Sequence, residues 1–267
     1  MSQRREVEAR IALYEDLTGI LGAMRSFALA ELRKVSQREA AQQQVVQSLA
    51  VALDDLTDSL PESIYSESGT PGNDTWLLFG SVRGFCSSFN EDVIRLWQSE
   101  SKPQGQLILI GERLHTTIGN DNDAAYRLRG ADGSLDAAGV IDRILEALQS
   151  LETQAESGLI AVIRDEHGAR YQRLWPLPTT TSSKKLNSPF TYMPATAVAT
   201  GVAEQYLFHS LLALLLRSIR IENHMRLIQM ETALRHLEHG GEELLRQRNR
   251  LRQEEIVEEI ELMAGRR

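Results

Sequence analysis

From about residue 4 to Pro61 the chain has no proline, and its only glycines are Gly19 and Gly22. Apolar side chains fall at Val7, Ile11, Tyr14, Leu17, Ile20 or Leu21, Met24, Phe27 and Leu32, and resume at Val45, Val46, Leu49, Leu53, Leu56 and Leu60. Steps of three and four predict one face of a helix. A run of about 55 residues rising 1.5 Å each gives a rod of roughly 80 Å. Compact domains use helices of about 8 to 20 residues. This rod therefore needs a partner along its length.

The C-terminal third repeats the pattern. No proline follows Pro194, and apolar residues recur from Tyr206, Leu211, Leu215 and Ile219 through Met225, Ile228, Met230, Leu234, Leu237, Leu244 and Leu251 to Ile256, Ile260 and Met263. Gly240 and Gly241 interrupt the run at about 1 kcal/mol each relative to Ala. They read as a bend or as a close approach by another chain. Two long helices without cores of their own pair most simply as an antiparallel coiled coil. The stripe is imperfect as a heptad, so irregular wrapping or partial exposure is expected.

The middle has a different composition. Residues 66–74 (SESGTPGND) read as a loop. Strands are expected over 75–80, 106–110, 158–164 and 171–177, and helices over 90–99 and 136–151. Strands alternating with helices imply a small, Rossmann-like α/β domain with a partly parallel sheet. Residues 176–194 hold four of the seven prolines and read as an extended connector. The expected organisation is an N-terminal coiled-coil helix over 1–60, a central α/β domain with its connector over 61–195, and a C-terminal coiled-coil helix over 196–267.

Composition excludes several classes. Hydrophobic residues at 42% and charged residues at 25% argue against wholesale disorder. A net charge of -8 disfavours diffuse binding to a phosphate backbone, so no nucleic-acid partner is expected. The single cysteine, Cys86, rules out an intrachain disulfide and a multi-cysteine zinc site. The polar first ten residues lack a signal core. The aliphatic stretch 211–216 is far shorter than the roughly 20 residues of a membrane helix, so the chain is expected to be soluble or peripheral.

Three stretches carry a family resemblance. Ile20-Leu21-Gly22-Ala23-Met24 through Glu31-Leu32-Arg33-Lys34 looks like a Lys-Ala-Met stretch leading into an Ala-rich Lys-Leu/Met-Arg. Ser81-Val82-Arg83-Gly84-Phe85-Cys86-Ser87-Ser88-Phe89-Asn90 resembles a Ser-Asp-Arg-Gly-Leu-Cys-Gly-Gly-Phe-Asn loop after a first strand. Residues 222–230 and 249–261 resemble Glu-x-x-x-x-Arg-Met-x-x-Met and an Asn-Lys-x-Arg-Gln ending. All three, in this order, resemble the gamma subunit of F-type rotary ATP synthases. Val82, the Ser87-Ser88 pair, Ala195 and Val257 depart from the family pattern. They suggest a divergent branch, with the alternate sodium-type ATPase as one candidate.

The resemblance implies a rotor shaft. Its partners would be alpha and beta nucleotide-binding subunits, an epsilon subunit and a membrane c-ring, with membrane contact only through that ring. It implies a peripheral place on the cytoplasmic face of the inner or plasma membrane. It also implies no catalysis and no cofactor in this chain. Met24 matches a methionine at the contact with the catalytic subunit's lever, and Arg226 an arginine on the opposing helix. Arg25 would add a cation facing an acidic lever. Gln253 and Glu259 match residues near a catch contact, and Arg252 belongs to the series Arg246, Arg248, Arg250 and Arg252, whose functional reading is an arginine collar meeting acidic partner loops. The plain alternatives are a core methionine and solvated charges.

Other features have plainer explanations. Gly80-x-x-x-Gly84 lacks the Lys-Ser/Thr of a phosphate loop. Cys86 reads as a small buried hydrophobe rather than a nucleophile. Ser87 or Ser88 would cap the following helix. Arg246 and Arg250 read as a solvated face balanced by Glu242, Glu243, Glu254 and Glu255. His236 and His239 make only two potential metal ligands. The competing classes are a stand-alone coiled-coil adaptor with an α/β head and, last, a small enzyme using Cys86.

Overall fold

A computed structural model describes residues 2–56, 74–100, 105–119, 124–151, 158–177 and 190–264. The expected continuation of the first helix over 57–60, most of the 66–74 loop, the connector over 178–189 and the Arg266-Arg267 tail lie outside these residues.

Ten elements follow in order: α1 (Ser2–Asp55), β1 (Thr75–Phe79), α2 (Phe89–Glu100), β2 (Gln106–Ile110), α3 (Glu112–Ile118), β3 (Tyr126–Leu128), α4 (Ala137–Ser150), β4 (Leu159–Asp165), β5 (Gly168–Trp175) and α5 (Ala195–Ala264). α1 runs for 54 residues and α5 for 70. The chain forms two compact units, Met1–Leu29 with Arg226–Arg267, and Ala30–Met225.

The unit of residues 30–225 is built on one five-stranded sheet in the order β3-β2-β1-β4-β5. The first four strands are parallel, and β5 returns antiparallel on β4. β1 is buried at every position. Such continuous apolar runs suit parallel strands covered on both faces. On one face Leu77, Phe79, Ile108, Ile110, Ala161 and Ile163 pack with Val140, Ile141 and Ile144 of α4 and with Leu211, Leu215 and Ile219 of α5. Val35 of α1 joins this core. On the other face Trp76, Leu78, Leu109 and Val162 meet Val93 of α2 and Leu114 of α3. α5 includes a window apolar and long enough to cross a membrane by length and composition. Yet Leu211, Leu214, Leu215, Leu216 and Ile219 belong to the sheet core.

α3 and β3 were not expected from the sequence. β3 is a three-residue edge strand and α3 has seven residues, both too short to carry a period. Gly80 earns its place by packing, since a Cβ there would sit 2.3 Å from the Cβ of Leu114. Gly111, at φ +113°, lets its backbone lie against the Gly80 carbonyl, where a Cβ would come within 2.6 Å.

In the unit of residues 1–29 and 226–267, α1 and α5 pair antiparallel. Arg4 donates to Glu255 at 3.0 Å, and Tyr14 lies against Gly240. Burial along α1 recurs every seven residues, at Val7, Tyr14, Leu21 and Ala28 here and at Val35, Gln42 and Leu49 in the sheet-bearing unit, with Leu56 just past the helix end at the next step. A strict period of seven is what keeps a stripe on a partner helix. Leu17 and Phe27, read from sequence as part of the stripe, are exposed, as is Ile20. Steps counted loosely as three or four drift off the seam, whereas the seven-residue spacing holds it. Gly240 and Gly241 sit inside a continuous helix. Of the two sequence readings for this pair, the close approach describes Gly240, and the approaching group is Tyr14 of the same chain.

A Cβ at Gly240 would lie 2.7 Å from a Tyr14 ring carbon, while one at Gly241 meets nothing within 4 Å. Helix propensity favours Ala by about 1 kcal/mol at both sites, and overpacking against Tyr14 costs about 1 to 3 kcal/mol. Gly241→Ala should therefore stabilise by about 1 kcal/mol and Gly240→Ala destabilise by about 1 kcal/mol. In a Tyr14→Ala background Gly240→Ala should become stabilising. Denaturant unfolding of the four variants checks the reversal of sign.

Candidate coupling surfaces

The helical pair of residues 1–29 and 226–267 leaves much apolar area open. Leu13, Leu17, Ile20 and Phe27 of α1 are exposed, the last two by 57% and 52%. On α5 Ile228, Leu245, Ile256, Val257, Ile260, Leu262 and Met263 are exposed, with Met263 at 74%. Scattered single exposures are ordinary, but contiguous ones mark an interaction surface. Acidic residues interleave the last of them, at Glu254, Glu255, Glu258, Glu259 and Glu261. This surface suits a partner that is apolar with basic edges.

The register that sets Tyr14 on Gly240 puts Met24 level with Met230 and Ala28 level with Arg226. Ala28, Met230 and Arg226 are buried, and Met24 is half-buried. Met24 and Arg226 thus occupy one stretch of the pair, about one turn apart. Ala28, a methyl group only, leaves room at the level where the long Arg226 side chain is buried. Arg25 points outward and is exposed. Arg252, Gln253 and Glu259 are also exposed, on the last turns of α5. Arg252 and Glu259, seven residues apart, share a face. This second set lies roughly 40 Å along the helix from the first. Arg246 bonds Glu242 at 3.3 Å and Arg250 faces Glu254 at 3.8 Å, two of the balancing carboxylates named from sequence. Arg4 is bonded by Glu8 and Glu255, which raises its pKa, and its hydrogen bond holds the Glu255 carboxyl below its ordinary value.

In the sheet-bearing unit, strand order reverses between β1 and β4. Open α/β sheets bind ligands in the crevice at such a reversal. Here the chain fills it. The amide of Ser81 donates to Asn90 Oδ1 at 2.9 Å, and Asn90 Nδ2 donates back to the Ser81 hydroxyl at 2.9 Å. Cys86 Sγ donates to Ser81 Oγ at 3.2 Å. Cys86 and Phe89 pack on Ile221 and Met225 of α5. Glu222 accepts the Arg83 amide at 3.4 Å. The cysteine is buried, as its plain reading held. Ser88 immediately precedes α2, and its hydroxyl donates to Asp92 Oδ2 at 2.9 Å. Among the described residues, no three His, Cys, Asp or Glu side chains gather as metal ligands would.

One cluster was missed from the sequence. Glu39 of α1 is buried and accepts from Arg217 at 3.1 Å and from Arg220, both on α5. Arg220 also reaches Glu166 in the β4–β5 turn. Burial works to lower the pKa of Arg220, but its bonds to Glu166 and Glu39 outweigh this and raise it. The bond from Arg220 holds the Glu166 carboxyl below its ordinary value. The available signal was an acidic residue four positions after Val35, on the buried face of the helix.

A family model described as ATP synthase matches residues 3–266. The chain belongs to the ATP synthase gamma family. The ATP synthase gamma chain of Akkermansia muciniphila is 23% identical over 281 residues, covering 97% of this chain and 96% of that one. That of Mesoplasma florum is 23% identical over 278 residues, covering 99% and 98%. Among solved structures, a chain of the Euglena gracilis mitochondrial ATP synthase rotor superposes with a TM-score of 0.65 at 15% identity. It covers 96% of this chain and 99% of that chain. A second Euglena gracilis structure, of the OSCP/F1/c-ring assembly, gives 0.66 at 17% identity, covering 99% and 93%. The gamma family therefore accounts for both long helices and the sheet between them in sequence.

Because the folded pKa of Glu166 lies below its ordinary 4.5, the stabilisation it gives is present above 4.5 and lost as pH falls through the depressed value. Glu166 is about half exposed, so the pair contributes about 0.5 kcal/mol after screening. Glu166→Gln should lower stability by that amount at neutral pH and cease to differ from the parent in acid. Thermal midpoints measured from neutral pH downward check this.

Proposed function

We propose that this chain is the central rotor stalk of an F-type ATP synthase, coupling transmembrane ion flow through rotation to ATP synthesis or hydrolysis in partner subunits. The observation that carries this reading is the open apolar surface of the paired helices, in a chain that matches the family from residue 3 to 266. A shaft turning inside a ring of nucleotide-binding alpha and beta subunits needs such a surface, because it must touch successive partners without bonding to any of them permanently. The sheet-bearing unit would supply the contacts to an epsilon subunit and the membrane c-ring.

In this reading the chain performs no chemistry. Its asymmetry biases the partner sites among conformations of different nucleotide affinity. Met24 and Arg25 would meet the catalytic subunit's lever, with the buried Arg226 supporting Met24 from the facing helix, while Gln253 and Glu259 would meet the catch further along α5 and Arg252 the acidic loops around it. The complex would be peripheral, on the cytoplasmic face of the membrane. The clustering of Met24 and Arg226 on one stretch of the pair supports a shared role. So does the exposure of Arg25 beside them.

Co-expression with the two large nucleotide-binding subunits of its host, purified through a tag on this chain, tests the reading. The expected product is a complex holding one copy of this chain per ring of large subunits, with ATP hydrolysis. Removal of residues 245–267 should impair coupled activity. A chain that purifies alone and leaves those subunits behind would favour an adaptor sharing only the fold.

A further inference from the structure

The seam between α1 and α5 turns polar within the sheet-bearing unit. Glu39 occupies the buried position four after Val35, and Gln42 the next heptad position. Glu39 accepts from Arg217 at 3.1 Å and from Arg220, and Gln43 donates to it at 3.2 Å. Gln42 donates to the His209 carbonyl at 3.1 Å. Arg220 continues the chain of charges to Glu166, in the turn between β4 and β5. One carboxylate on α1 is thus joined to α5 directly and to the sheet hairpin through Arg220. A cleft of about 530 Å³ beside it is lined by Ser36, Glu39, Asp165, Glu166 and Arg170 among others. At this level directional ion pairs stand beside the core that Val35 shares with Leu215 and Ile219.

Apolar seams are non-directional and tolerate small rotations of one helix on another. A buried polar group at a seam position specifies register, its best attested role. We infer that Glu39 is a positioning residue for rotary coupling: its bonds to Arg217 and Arg220, relayed to Glu166, lock the helix pair and the sheet against twisting on one another. Force applied to the sheet is then delivered to the helices without slip. This rests on the rotor-stalk reading above.

The test uses the whole complex in membrane vesicles and reads the voltage built, with a voltage-sensitive dye, per ATP hydrolysed. Glu39→Gln should lower that ratio about three-fold or more, with ATP hydrolysis and chain content nearly unchanged. Arg217→Lys keeps the charge but loses the planar fork. It is the milder variant and should lower the ratio less. The exchanged pair Glu39→Arg with Arg217→Glu should restore most of the parent ratio. A Gln variant with the parent's ratio would overturn the inference alone. So would a parallel loss of hydrolysis and chain content at constant ratio, the mark of a merely structural role. Parent vesicles that carry the chain but build no voltage would sink the rotor reading, and this inference with it.

Discussion

Everything here depends on two helices that cannot stand alone. α1 and α5, of 54 and 70 residues, each carry an apolar stripe with no core of its own. In water most helical stability comes from packing such a stripe rather than from propensity. Each helix therefore buries part of its stripe on the other, and α5 buries a further part on the sheet. Within each unit the seven-residue recurrence of burial along α1 keeps the stripes in register. Near its middle the seam admits Glu39 and Gln42, exchanging burial for specificity.

The sheet draws on the same helices. Leu211, Leu214, Leu215, Leu216 and Ile219 of α5 form the lid of one sheet face, with Val35 of α1 beside them. Burying a side chain of this size contributes about 1.5 to 3 kcal/mol. The stretch of α5 that covers the sheet also pairs with α1, through Arg217 and Arg220 at Glu39. Within the sheet-bearing unit these stretches of α1 and α5 thus share one core with a single face of the sheet.

Much of this was legible in the sequence. Long proline-free segments with recurrent apolar residues announce helices regardless of context, and the runs TWLLF, QLILI and LIAVI announce buried strands. α3 and β3 were not legible, because a seven-residue helix and a three-residue strand carry no measurable period. The seam was misplaced at Leu17 and Phe27, since apolar identity alone does not separate a residue facing its own partner helix from one left for another molecule. Ala28 was overlooked for the opposite reason: it is small, fully buried and silent in a hydrophobicity count. Glu39 escaped notice because a glutamate in a charged helix looks solvated until the arginines opposite it are seen. Of the candidate coupling residues, the sequence placed Met24 and Arg226 on facing helices, but only the register brings them within a turn of each other.

The crevice where strand order reverses has a further consequence. In related sheet architectures that opening is where a small molecule enters. Here Ile221, Glu222 and Met225 occupy it, and they belong to the helix that also closes the sheet core. Anything entering would have to pry α5 away from Cys86 and Phe89. The doubly wound sheet has in this way given up its vacancy to its own backbone, and it serves as a socket for a helix.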